Sequence, residues 1–218
     1  MDTNTAEEWI PLSITHVLYP KDDTTGQLLA LLSLTPFGIV VAFITLSLFV
    51  RDIHVIFFFC GQLLNEVLCL VLKRLFRQSR PIQVVNQKYH SNRSYGMPSQ
   101  HSQFMAFFTF YCLLFFIFRL KRKSNKFKSL LVFAITLLFI FVVYSRIYLL
   151  YHYWSQCFAG IAIGLLFAII WFSIINYVFE PNIFVFILKM KISRFIGLTN
   201  VYIEPKRSHN KEIIKKKK

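Results

Sequence analysis

Five apolar runs, at residues 28–50, 53–72, 104–120, 129–147 and 157–179, leave this chain few choices of fold. Each reaches or approaches the roughly 20 residues that a helix needs to cross a bilayer. In hydrocarbon every backbone N–H and C=O must be satisfied within the segment, so runs of this kind fold as helices. The expected architecture is therefore all-α: a polytopic helical membrane protein with about five transmembrane helices. Residues 1–27 read as a polar N-terminal segment, 28–179 as the membrane unit, and 180–218 as an interfacial segment followed by a basic tail. A sixth apolar patch at 183–188 is too short to span and is expected to lie at the interface. With 56% hydrophobic residues and 25 Phe in 218 residues, ordinary soluble classes are excluded.

Charge orients the helices. The connection 119–128 carries six Lys and Arg in ten residues, and ten more follow from Lys189 onward. Alternating spans put both on one side, and the positive-inside rule makes that side cytosolic. The net charge of +15 is thus a matter of topology and membrane lipids, not of nucleic acid. Residues 1–27 lack the regions of a cleavable signal, so the first span is expected to direct insertion.

By the same alternation the N-terminal segment and the connections 73–102 and 145–156 share the opposite side. There the charge rule fails, because Lys73, Arg74, Arg77, Arg80, Lys88 and Arg93 lie on it. Snorkelling accounts for Lys73 and Arg74, but not for Arg80 beside Pro81 or Arg146 at the end of the fourth span. Three segments meet at this face: LKRLFRQSRP (72–81), YGMPSQHSQF (95–104) and YSRIYLLYHYWSQ (144–156). They contribute Lys73, Arg80 and Arg146 as cations, Ser99 and backbone amides as donors, and the two histidines His101 and His152. No Asp or Glu occurs from Val67 to Phe179. Such a site suits a phosphate or diphosphate, and is unsuited to a divalent metal that needs anionic oxygens. Arginine forks and lysine charge would stabilise a phosphoryl transition state. Two histidines can supply a nucleophile and a general acid.

The spacings Lys73-x6-Arg80-Pro81, Pro98-Ser99-x-His101 and Ser145-Arg146-x5-His152 resemble the three motifs of the type 2 phosphatidic acid phosphatase superfamily. Within it, WIPLSITHVLYP (9–20), LLALLSLTP (28–36), LNE (64–66), YGMPSQHSQF and SRIYLLYHYWSQ are similar to stretches of the dolichyldiphosphatase group. The resemblance implies His152 as the nucleophile that forms a phosphohistidine and His101 as the acid protonating the leaving phosphate. Lys73, Arg80, Arg146, Ser99 and the amide of Gln100 would hold phosphoryl oxygens, with no metal and no cofactor. It implies as substrate a polyprenyl diphosphate lipid, dolichyl diphosphate, hydrolysed at the lumenal face of the endoplasmic reticulum to recycle the carrier for N-glycosylation. The C-terminal Lys215–Lys218 resembles a dilysine retrieval signal; a solvated basic tail is the alternative.

Two positions depart from the superfamily pattern. Gln100 stands where glycine is usual, and its side chain is expected to crowd the phosphate. Gln156 replaces an Asp four residues after the histidine; its carbonyl can orient His152 through Nδ1–H but cannot stabilise imidazolium by charge. Broader lipid phosphatases acting on farnesyl diphosphate or phosphatidate, and a non-catalytic lipid-binding protein or scramblase, are the competing readings. Glu66, inside the second span, is a functional candidate, although a hydrogen bond to a neighbouring helix is the simpler account. Cys60, Cys69, Cys112 and Cys157 read as packing residues. His16, His54, His90 and His209 read as surface or interfacial.

Overall fold

The computed structural model of the protein describes residues 9–12, 17–81, 95–119 and 125–200. Lys88, Arg93, His16, His90, His209, much of the basic connection 119–128 and the tail Lys215–Lys218 lie outside the described residues. Among the described residues, five helical runs are long and apolar enough to cross a membrane: Thr24–Phe49, Ile53–Phe76, Gln100–Phe118, Asn125–Tyr148 and Trp154–Lys189. The protein is a multi-pass helical membrane protein.

The first run consists of α1 (Thr24–Leu32) and α2 (Thr35–Phe49). Their junction follows from Pro36, which has no N–H to offer the Leu32 carbonyl. The Thr35 hydroxyl bonds that carbonyl instead, at 2.6 Å. Phe37 N then donates to Leu34 O, leaving the Ser33 carbonyl outside the helical ladder. Helix α3 (Ile53–Phe76) starts where Asp52 Oδ1 accepts from the amides of His54 and Val55, and stops at Arg77, a left-handed residue with φ 50°. Ser99, extended, introduces α4 (Gln100–Phe118); the Met97–Pro98 peptide before it is cis. Helices α5 (Asn125–Tyr148) and α6 (Trp154–Ile174) complete the bundle.

Helix α4 is the centre. Half of its apolar window is buried, against 17–22% for the other four runs. It lies closest to α6 because Gly160 and Gly164, four residues apart, present bare backbone to it. A Cβ on Gly160 would stand 2.6 Å from the Ser99 carbonyl oxygen, and one on Gly164 would collide with the Gln103 carbonyl. Small residues at this spacing allow two membrane helices to approach backbone to backbone. On the other flank α4 is tied to α3 by Gln103 Nε2, which donates to Asn65 Oδ1 at 2.9 Å and to Asn65 O at 3.1 Å. Cys69, Cys112 and Cys157 are buried as packing residues, while Cys60 is exposed.

Three features differ from the sequence expectation. The N-terminal segment carries two short antiparallel strands, a small hairpin of β1 (Trp9–Pro11) with β2 (Leu18–Pro20), pairing Ile10 with Tyr19. Leu12 packs with Leu29, Ala30, Leu149 and Tyr151, so this segment is a layer over one end of the bundle. The patch 183–188 is not a separate segment. Helix α6 continues through a π-helical stretch, Ile175–Phe184, that contains Pro181, into α7 (Val185–Lys189). Phe184 is fully buried, with its ring 4.8 Å from Phe57. The run of 36 residues is about 54 Å long at about 1.5 Å per residue, beyond the roughly 30 Å of hydrocarbon. A short α8 (Lys191–Phe195) follows. Finally, His54 is not a surface residue: it is buried at the start of α3, its Nε2 3.1 Å from the Tyr111 hydroxyl. Packing by Phe115 and Phe184 around its ring draws it inside.

Candidate active site

Every site residue expected from the sequence gathers at the end of the bundle covered by the hairpin. Lys73 is in the last turn of α3, buried, with Nζ 3.2 Å from the Tyr95 carbonyl. Arg80 lies just beyond, in the connection that turns away at Arg77. Ser99 is fully buried at the head of α4. Its Oγ accepts from Ser102 Oγ at 3.1 Å, and its amide donates to Gln156 O at 2.9 Å. The amides of Gln100 and its neighbours open α4, so by helix geometry they have no intrahelical acceptor and face the site.

Arg146 occupies the last turn of α5 and is buried. Its guanidinium carbon sits 4.7 Å from the centre of the Tyr151 ring, whose hydroxyl in turn accepts from Leu18 N at 2.8 Å. The hairpin therefore braces the arginine through a cation–π contact. Nη2 of Arg146 is buried with no hydrogen-bond partner among the described residues. A buried guanidinium donor left unbonded is costly unless an acceptor arrives from outside the fold.

The chain after α5 doubles back on itself. The amides of Tyr151 and His152 both donate to the Arg146 carbonyl at 3.0 Å, and Leu150 takes up the reversal with φ 56°. This turn sets His152 beside the start of α6, where its Nδ1 lies 3.0 Å from Gln156 Oε1. Burial, then the charge of Arg80, pushes the His152 ring down to about 3; the Gln156 bond opposes this, and Lys73 and Arg146 reinforce it. His152 is hence neutral at physiological pH. The His101 ring hydrogen-bonds to the Ser33 backbone and lies within electrostatic reach of Arg146, His152 and Lys73. The free Ser33 carbonyl produced by Pro36 is thus what fixes one ring nitrogen of His101.

Gln100 does not crowd this site as expected. Its Nε2 donates to Glu66 Oε2 at 2.5 Å, so the side chain is drawn sideways onto α3. The intramembrane carboxylate and the unusual glutamine account for each other. Gln156 is fully buried; besides its bond to His152, its Nε2 donates to Ser79 O at 2.8 Å and Gln78 Oε1 at 3.1 Å.

Sequence reasoning missed Gln78, Ser33, Tyr151 and Gly96 as parts of this end of the molecule. Gly96 is glycine because its backbone packs closely. A Cβ there would fall 2.6 Å from Gln156 Nε2. Among the described residues, no three His, Cys, Asp or Glu side chains converge as metal ligands.

The family model of the PAP2 superfamily matches residues 54–180, which spans α3 through α6 and all three polar segments. The chain is 41% identical over 203 residues to dolichyldiphosphatase 1 of Rhinolophus ferrumequinum, covering 90% of this chain and 84% of that protein. It is 32% identical over 198 residues to dolichyldiphosphatase of Saccharomyces cerevisiae, covering 88% and 82%. Its fold is shared with a transmembrane PAP2-type phosphatidylglycerolphosphate phosphatase from Bacillus subtilis, with a TM-score of 0.57 and 16% identity over 70% of this chain and 77% of that one. A family match across more than half the chain, relatives aligned over nearly its whole length and this common fold make the conclusion plain: the chain belongs to the PAP2 superfamily.

Proposed function

We propose that the protein hydrolyses dolichyl diphosphate to dolichyl phosphate and phosphate at the lumenal face of the endoplasmic reticulum, recycling the lipid carrier for N-glycosylation. The names of its relatives supply the substrate. The observation that carries the chemistry is the buried, unbonded Nη2 of Arg146 beside a neutral His152, because it asks for an anionic acceptor next to a nucleophile.

In this reading Lys73, Arg80 and Arg146 hold the oxygens of the terminal phosphate, with Ser99 and the Gln100 amide completing the cradle. His152 Nε2 attacks phosphorus, the P–O bond to the inner phosphate breaks, and His101 donates a proton to the departing oxygen. Water, deprotonated by His101, then attacks the phosphohistidine, releasing phosphate and restoring neutral His152. Charge-assisted bonds to the developing phosphoryl oxygens supply the main stabilisation. No step uses a metal or a cofactor.

Residues 28–179 form the catalytic membrane unit in this account. Residues 1–27 stand on the lumenal side with the site, and 180–218 lead into the cytosol. A head group held at the bilayer edge while the polyprenyl tail stays in lipid fits a site built on helix ends. Purified protein assayed on dolichyl diphosphate, farnesyl diphosphate and phosphatidate tests the proposal. Faster turnover of phosphatidate would refute the substrate assignment, and a His152→Ala protein that keeps full turnover would refute the mechanism.

A further inference from the structure

Residue 156 meets two acceptors on one side and a histidine on the other. The Ser79 carbonyl, 2.8 Å away, can only accept, so the atom facing it has to be the amide nitrogen of Gln156, however the amide is drawn. Its second proton is directed to Gln78 Oε1 at 3.1 Å. The carbonyl oxygen is then turned to His152, and at 3.0 Å it requires a proton on Nδ1. That leaves the lone pair on Nε2.

Gly96 closes the cage from behind. A Cβ at this position would lie 2.6–2.8 Å from the terminal atoms of Gln156, and the Gly96 amide donates to the Gln78 carbonyl at 2.7 Å. Gln78 is thus bound to the cage by its backbone and to Gln156 by its side chain.

We propose that Gln78 is a positioning residue: with the Ser79 carbonyl it locks the Gln156 amide in one orientation and thereby selects the Nε2-nucleophilic tautomer of His152. The inference rests on His152 being the nucleophile. It carries a further requirement, that residue 156 be an amide. A carboxylate of equal length would set an anionic oxygen against the Ser79 carbonyl, which cannot donate, and would force the Gln78 amide to turn over before anything donated to it.

The test uses the full chain, with 15N-labelled histidine, in lipid nanodiscs. The nitrogen spectrum reads the His152 tautomer, assigned by its loss in His152→Asn, and kcat and KM are measured on dolichyl diphosphate. Native protein should show Nδ1–H alone at His152. Gln78→Leu should keep Nδ1–H as the major form, because the Ser79 carbonyl still faces the amide nitrogen, while adding a minor Nε2–H form, and should lose about 10-fold in kcat with KM nearly unchanged, the low end of the range for losing an orienting partner. Gln78→Glu, which keeps an acceptor in reach, should hold the single tautomer and recover kcat to within about 3-fold, while Gln156→Glu should lose at least as much as Gln78→Leu.

A Gln78→Leu protein with the native tautomer and native kcat would overturn the proposal. Equal losses in Gln78→Leu and Gln78→Glu, or a change confined to KM, would also overturn it by marking a role in loop structure alone. Gln78→Ala gives the same readings should the leucine variant not fold. If native protein fails to turn over dolichyl diphosphate, the functional reading falls, while the tautomer spectra still decide the role of Gln78.

Discussion

Replacing Gly160 by alanine puts a methyl group into the closest contact between α4 and α6, and the structure sets the size of the effect. The new Cβ would stand 2.6 Å from the Ser99 carbonyl oxygen, where ordinary contact begins near 3.4 Å, so the helices must part by about 0.8 Å. The obstacle is backbone and cannot rotate away. Overpacking of this kind costs about 1–3 kcal/mol. The same displacement acts on the Ser99 N to Gln156 O bond of 2.9 Å, which joins the start of α4, with Ser99 and His101, to the helix that carries Gln156. A misplacement approaching 1 Å at a phosphoryl-transfer site costs up to about 100-fold in rate. Gly160→Ala should therefore lower kcat on dolichyl diphosphate by about 10–100-fold and lower the thermal midpoint in detergent together. Gly164→Ala is the control: its Cβ meets the Gln103 carbonyl one turn deeper. It should lose comparable stability with a smaller loss of rate. A Gly160→Ala enzyme with native rate and stability would refute the claim that this backbone contact sets the cradle.

Three other outcomes follow from the same geometry. His152, held down to about 3 against 6.5 for a free ring, should stay neutral as exposed histidines titrate, which histidine NMR from pH 8 to 4 reads directly. The sign for stability follows by linkage: above about 6.5 the ring is neutral folded and unfolded, and below it the unfolded chain takes up the proton first. Stability is then lost progressively towards pH 3, and bound vanadate, by offsetting Arg80, Lys73 and Arg146, should move the titration upward. Turnover should survive EDTA and be inhibited by vanadate, because the sequence from Val67 to Phe179 offers cations and histidines but no carboxylate for a divalent metal; loss of activity in chelator would contradict this. A glycan acceptor inserted at Gln87 should be modified in microsomes and one at Ser124 should not, and the reverse pattern would invert the orientation.

The spans and the polar cluster were legible because each has a physical cause that acts along the chain. Hydrocarbon thickness fixes run length, and so the five runs stand out, within about four residues at every end except the last, where the helix runs on to Lys189. Lys73, Arg80, His101, Arg146 and His152 could be grouped because alternation of spans carries their segments to one side. What hydropathy does not encode is which face of a helix meets a partner. His54 read as surface or interfacial since it stands in no motif comparable to those of His101 and His152, yet Tyr111, Phe115 and Phe184 from two other helices enclose it. The hairpin at Trp9–Pro11 and Leu18–Pro20 consists of two strands of three residues each, too short to show an alternating pattern. Gln100 read as an obstruction because its partner, Glu66, is 34 residues away on another helix. Gly160 and Gly164, small residues four apart within an apolar run, were a signal left unread, and they mark the helix contact on which the site is built.

The central claim is that His152 carries the phosphoryl group between the two half-reactions. Rapid quench of the purified protein with dolichyl diphosphate labelled on its terminal phosphate tests it most directly. The account predicts a base-stable, acid-labile phosphoprotein whose label maps to His152, absent from His152→Ala. Full turnover with no labelled protein at any quench time, or label on another residue, would contradict it.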